Sequence, residues 1–235
     1  MKKSIKTGAL LVAGVFALSG CGSSSEAADS GSAESSPTPT LSVGQDQYTP
    51  EELEAALQAV KADEGLGGDI FNQETLAPLL EGTPDALAGV TVTPEQCDVL
   101  ATTDIAGVLD NASMAILMLT ATDSLSVASH PDESVMEKQF ADNTLLMEEC
   151  AEFQMEAAGQ IISATTERVD VTTDAEQTQA FRSVITAGGE VTESTQISVV
   201  SGTTNIQITL NGPEAAESLS KAENLINALL EQLSE

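Results

Sequence analysis

Apolar residues recur at helical spacing near the front and the end of the chain, and alternate with polar ones through much of the region between. Leu53, Ala56, Leu57 and Val60 fall at i, i+3, i+4 and i+7, which is one face of a helix. Thr49-Pro50-Glu51-Glu52 opens it: Thr49 suits the N-cap, Pro50 the first helical position, and Glu52 completes a capping box. Gly65, Gly67 and Gly68 stop it, and a second short helix is expected from Asn72 to Leu80, ended by Gly82. Thr93-Pro94-Glu95-Gln96 repeats the start signal and predicts a helix carrying Cys97, Leu100 and Ile105.

From Ser113 the period changes. Met114 to Leu119 is a continuous apolar run suited to a buried strand, and Leu125-Ser126-Val127 pairs with it as a hairpin through Thr122-Asp123-Ser124. A helix follows from Pro131 to about Glu149, with Met136, Phe140 and Met147 on its buried face and Val135 and Leu146 flanking. Phe153, Met155 and Ala157 alternate until Gly159, and Ile161 to Val171 resumes an extended chain. Phe181, Ser183, Ile185 and Ala187 alternate up to Gly188-Gly189. Ile197 and Val199 lead into the turn Ser201-Gly202-Thr203, and Ile206, Ile208 and Leu210 return from it. Asn211-Gly212-Pro213 ends the strands, and Leu219, Ala222, Ile226, Leu229, Leu230 and Leu233 form a broad stripe on a last helix. Strands joined by tight turns imply antiparallel pairing. The predicted class is α+β: an antiparallel β-sheet flanked by N-terminal helices, with one helix between strands and a C-terminal helix packed on the sheet.

Ahead of this region the pattern is different. Lys2, Lys3 and Lys6 precede an apolar run from Gly8 to Ala17 that fits a secretion signal and is too short for a permanent membrane helix. The run ends in Leu18-Ser19-Gly20-Cys21, which resembles the lipobox of bacterial lipoproteins. By that resemblance residues 1–20 are a signal peptide, and Cys21 receives a diacylglyceryl thioether and becomes the mature N-terminus. Two acyl chains give stable anchoring, at about 0.8 kcal/mol per buried methylene. Residues 21–47, rich in Ser, Gly, Ala, Pro and acids, read as a disordered tether, and residues 48–235 as one domain. The expected location is the outer face of the cell membrane, with the membrane itself as partner through Cys21.

Charge narrows the function further. Of 8 Lys+Arg, three lie in the signal, leaving five against 37 Asp+Glu in a chain of net charge −29. Such a surface is repelled by nucleic acid and by anionic lipid heads. The acids are scattered (Glu51, Glu52, Glu54, Asp63, Glu64, Asp69) and make no calcium loop, so they read as a solvated face and no metal is expected. With no Trp and one Tyr, Tyr48, the core is aliphatic, and stacking platforms for sugars are not expected.

Once Cys21 is acylated, Cys97 and Cys150 remain, and an exported chain with two thiols most often joins them in a disulfide. The alternative is a redox or metal-binding thiol pair, which the absence of CxxC and the single histidine do not favour. His130 precedes Pro131 at a predicted helix start and reads as an exposed cap residue rather than a general base. Glu148-Glu149 could in principle serve glycoside hydrolysis, and Met114, Met118, Met136, Met147 and Met155 a soft-metal site, but strand and helix spacing makes the methionines core filler. No catalytic residue and no cofactor is assigned, and the chain is not expected to be an enzyme.

The anchor, the tether, Val92-Thr93-Pro94-Glu95-Gln96-Cys97 and a helix ending in Glu149-Cys150 before a run of strands resemble the actinobacterial extracellular sensor domains of the PknH type, over roughly residues 90 to 233. The resemblance implies an antiparallel sheet flanked by helices, a groove for an unidentified ligand and no catalysis, and Cys97 and Cys150 match one of that family's disulfides. The chain departs from the pattern in having no second cysteine pair, in carrying Met147 and Glu148 where a tryptophan is often found, and in showing no kinase or transmembrane segment. The leading expectation is a membrane-anchored surface lipoprotein with a non-enzymatic ligand-binding or sensor-like domain. The alternatives are a lipid or glycolipid carrier with an apolar cavity, and an envelope module that docks a protein partner.

Overall fold

A computed structural model describes residues 43–80, 90–101, 111–157, 159–212 and 218–235. Four helices and nine strands lie in these segments, and the strands form one antiparallel sheet, so the α+β class read from the sequence holds. Helix α1 is Pro50–Asp63, α2 is Gln73–Leu80, α3 is Glu133–Glu149 and α4 is Leu219–Leu233. The strands are β1 Asp69–Asn72, β2 Thr91–Thr93, β3 Ser113–Met118, β4 Ser124–Ser129, β5 Glu152–Ala157, β6 Gln160–Arg168, β7 Gln177–Ala187, β8 Glu190–Ser201 and β9 Thr204–Asn211. Their order across the sheet is β1-β3-β4-β9-β8-β7-β6-β5-β2.

Register explains the core. Across β3, β4, β9 and β8, Leu117, Leu125, Ile208 and Ile197 stand opposite one another in a straight row, and Ala115, Val127, Ile206 and Val199 make the next row. All eight are buried. Helices α1 and α4 lie on these rows with Leu53, Ala56, Leu57 and Val60 from one and Ala222, Leu225, Ile226, Leu229, Leu230 and Leu233 from the other. Each fully buried Leu or Ile contributes about 1.5–3 kcal/mol, and the buried members of this layer are all aliphatic.

Helix α1 starts as the capping chemistry requires. The Thr49 hydroxyl accepts from the Glu52 amide at 3.2 Å, and the Glu52 carboxylate accepts from the Thr49 amide at 2.8 Å. The Thr49 amide bond, then that to the Thr49 hydroxyl, holds the Glu52 carboxyl below its ordinary pKa. Helix α4 is tied to the β6–β7 loop, where the amides of Thr172 and Asp174 donate to Glu223 at 2.7 Å and Asn227 at 2.9 Å.

The other face carries α3. Here the central row is polar: Ser126, Gln207, Ser198 and Gln179 stand opposite one another on β4, β9, β8 and β7. Thr144 of α3 donates to the Gln179 side-chain oxygen. Towards β2 this face becomes apolar again, in a second cluster of Val92, Cys97, Cys150, Phe153 and Ala164.

Three expectations are revised. The start signal at Thr93 does not open an α-helix; Thr93 is extended in β2 opposite Gln154, the Thr93–Pro94 bond is cis, and a 3₁₀ segment Glu95–Ala101 follows. Ile105 and Gly82 lie outside the described residues. Strands β1 and β2 were not expected at all. Packed chain also begins ahead of Tyr48, because Val43 is buried and Gly44 and Asp46 hydrogen-bond through their carbonyls to Thr203 at 2.8 and 3.0 Å.

Candidate functional site

The residues singled out by type do not converge. Cys21 lies outside the described residues. Cys97 and Cys150 are joined in a disulfide with Cα atoms 5.8 Å apart, linking the 3₁₀ segment to the end of α3 in the second core cluster. His130 is half-buried; its amide donates to Thr203 at 2.8 Å and its Nδ1 accepts from the Asp132 amide at 3.2 Å. Asp132, not His130, caps α3, and its bonds from the Ser134 hydroxyl and amide hold its carboxyl below the ordinary value. Glu148 pairs with Arg168 at 3.1 Å on the surface. Met136 and Met147 are buried under α3, while Met114 and Met118 are half-buried on β3. Among the described residues no three His, Cys, Asp or Glu side chains group as a metal site, and no helix is long and apolar enough to cross a membrane.

What the fold builds instead is a pocket of about 290 Å³ at one end of the α1–α4 layer. Four separate segments line it: Glu64 to Gly67 after α1, Leu119, Thr120 and Asp123 from the β3–β4 turn, Ile208 and Leu210 of β9, and Ser218, Lys221, Ala222 and Leu225 of α4. The floor is aliphatic, because Ile208, Ala222 and Leu225 belong to the buried core and Leu66, Leu119 and Leu210 pack half-exposed against it. The rim is polar and carries Glu64, Asp123 and Lys221.

The walls are held by short-range bonds. Leu66 donates to the Lys61 carbonyl at 2.9 Å, and the Lys61 ammonium donates to the Gly68 carbonyl at 2.5 Å. Gly68, at φ 93°, presses so closely on β3 that a β-carbon there would stand 1.7 Å from the Met118 oxygen. In the opposite wall, Leu119 donates to the Asp123 carbonyl at 2.9 Å and the Asp123 carboxylate accepts from the Asn211 amide at 2.8 Å. Asp123 therefore serves the turn, which leaves Lys221 and Glu64 as the charges facing the mouth.

The place of the pocket is as informative as its lining. The chain enters the fold at the other end of α1, where Gly44, Asp46 and Gln47 strap onto the β8–β9 turn and onto Ser129 at the end of β4. Tyr48 donates from its hydroxyl to the carbonyl of Leu233 at the far end of α4, at 2.5 Å. Helix α1 has 14 residues, so entry and pocket are separated by roughly 20 Å at 1.5 Å per residue. No signal in the sequence could locate this site, because its lining comes from four segments that only the sheet register brings together.

A second polar feature lies beneath α3. Gln179 is 2% exposed, and its side-chain nitrogen has no hydrogen-bond partner in the structure, nor has the side-chain oxygen of Gln139 on α3. Asn205 is better served, donating to Ser198 and to the Val199 carbonyl at 3.0 Å each. Buried amides of this kind are sites for ordered water.

No protein-family model matches the chain, and no curated protein matches it. Among solved structures, the extracellular domain of PknH from Mycobacterium tuberculosis is similar to it at 14% identity with a TM-score of 0.49, over 81% of this chain and 98% of that one.

Proposed function

We propose that the chain is a lipid-anchored surface protein whose α+β domain binds a small ligand without transforming it. The observation that carries the reading is the pocket between α1, the β3–β4 turn, β9 and α4: an aliphatic floor with a few polar groups at its mouth, which is the common make-up of a ligand site. Its lining holds carboxylates and hydroxyls but no histidine or cysteine to act with them, so it is suited to holding a molecule rather than attacking one. The second support is placement. Residues that precede Val43 join the domain at Val43–Gln47, and the pocket lies at the opposite end of α1, which suits a domain tethered through its N-terminal side.

Size weighs against the carrier reading at this site. At about 290 Å³ the pocket sits at the lower end of the roughly 300–1,000 Å³ range of small-molecule sites, which suits a small ligand better than a lipid with two acyl chains. Two experiments test the proposal. Labelling cells with radioactive palmitate should mark the wild-type chain, and Cys21→Ala should lose the label and move the protein from the membrane fraction to the medium. Native mass spectrometry of the secreted Cys21→Ser chain then reports ligand: a bound species below the mass of a phospholipid supports small-molecule binding, whereas a co-purifying diacyl lipid would overturn it in favour of a carrier.

A further inference from the structure

The pocket has one feature that its fold does not need. The described residues contain five cations, and four are engaged: Lys61 with the Gly68 carbonyl, Lys138 with Asp142, Arg168 with Glu148, and Arg182 with Glu193 and Glu167. Lys221 alone has no hydrogen-bond or ion-pair partner among them, in a chain with 37 acidic residues to choose from. It is also the third residue of α4, within the first turn. A cation there opposes the helix dipole and does nothing for helix stability. It is exposed on the rim of a pocket whose floor is aliphatic.

We propose that the pocket takes a small amphiphile with an anionic head, the head set on Lys221 and the alkyl tail on Leu66, Leu119, Leu210 and Leu225. This rests on the reading of the pocket as a ligand site and adds the class of ligand. The positive end of α4 reinforces the lysine, since both act on a head group at the first turn. Leu66, Leu119 and Leu210 are half-exposed and would lose water to the tail, each buried methylene adding to the affinity. A pocket of about 290 Å³, near the lower end of the roughly 300–1,000 Å³ range of small-molecule sites, suits a medium-chain carboxylate such as octanoate. The net charge of −29 does not forbid an anion, because at physiological salt the Debye length is about 8 Å and distant carboxylates are screened. Of the two acids on the rim, Asp123 accepts from the Asn211 amide, which among the described residues leaves Glu64 to oppose the head.

The test uses the secreted Cys21→Ser chain and isothermal titration with three probes that differ only in the head: octanoate, octanol and octylammonium. Octanoate is expected to bind at least tenfold more tightly than octanol, with octylammonium the weakest. Lys221→Gln should weaken octanoate about tenfold while moving octanol less than twofold, and Lys221→Arg should keep the preference. Gly67 gives an independent block, because a β-carbon there meets nothing within 4 Å and its φ is not positive. Gly67→Leu should therefore fold normally, fill the mouth and remove both octanoate and octanol binding. If octanol matches octanoate and Lys221→Gln changes neither, the pocket stands and the anionic class falls. A preference for octylammonium overturns the class as well, since Glu64 would then select the head. If none of the three binds the wild type, the ligand site itself fails.

Discussion

Gly202 lies so close to Gly44 that a β-carbon on it would stand 2.2 Å from the Gly44 carbonyl oxygen, and one on Gly44 would stand 2.2 Å from that of Ser201. Both glycines have positive φ, 52° and 70°. The two backbones thus interlock where the chain joins the sheet. Gly44→Ala and Gly202→Ala should each destabilise the domain by at least about 1–3 kcal/mol, from the left-handed backbone alone. Gly67→Ala, with open space and ordinary φ, should be nearly silent. Urea unfolding of the three variants checks this, and equal midpoints would mean that the strap is dispensable.

That strap also marks how far the sequence could be read. The strands β3 to β9 were legible from the continuous apolar run at Met114 to Leu119 and, further on, from alternating or extended apolar stretches set between turn residues. Helices α1 and α4 were legible from their stripes, and α1 from Thr49 and Glu52. Residues 43–47 were not, since their composition is that of a linker and their attachment is made by the Gly44 and Asp46 carbonyls meeting Thr203 and the Gln47 side chain meeting the Ser129 carbonyl, far along the chain. Strand β1 has four residues and β2 three, too short for a period to show, and both exist by pairing with β3 and β5. The thiol pair could be read by elimination. The pocket could not, because Leu66, Leu119, Leu210 and Lys221 carry no shared motif.

Tyr48 closes the same end of the molecule. Its hydroxyl donates to the Leu233 carbonyl at 2.5 Å and accepts from the Gly44 amide at 3.2 Å. Tyr48→Phe keeps the ring and removes both bonds, and should cost about 1–3 kcal/mol, because two partly buried backbone groups lose their partner. Hydrogen exchange should rise at the end of α4 and at Gly44 before it rises elsewhere. Uniformly faster exchange across the sheet would show that Tyr48 acts on global stability rather than on this joint.

The Cys97–Cys150 disulfide closes a loop of 53 residues. In the loop-entropy account a closure of this length contributes about 4 kcal/mol. The double variant Cys97→Ala/Cys150→Ala avoids leaving a lone thiol in the buried cluster, and should lose about that much in urea unfolding under oxidising conditions. Wild type in reducing buffer should fall to a similar midpoint. Insensitivity of the wild type to reductant would place the stability of this end in Val92, Phe153 and Ala164 alone.

Acid should act on the start of α1 in a defined direction. Hydrogen bonds from the Thr49 amide and then the Thr49 hydroxyl hold the Glu52 carboxyl below its ordinary value of 4.5. A carboxyl whose folded pKa is depressed stabilises the fold above its unfolded pKa and loses that contribution as pH falls through the folded one. Wild type should therefore be more stable than Glu52→Ala at pH 7, with the gap unchanged down to about pH 5 and closing below 4.5. Asp132, whose carboxyl is also held low by Ser134, is present in both proteins and cancels in the difference. Thermal unfolding of the two at matched pH values measures the gap. A gap that stays constant through the acid range would mean that Glu52 serves the helix through its side-chain packing and not as the charged half of a capping box.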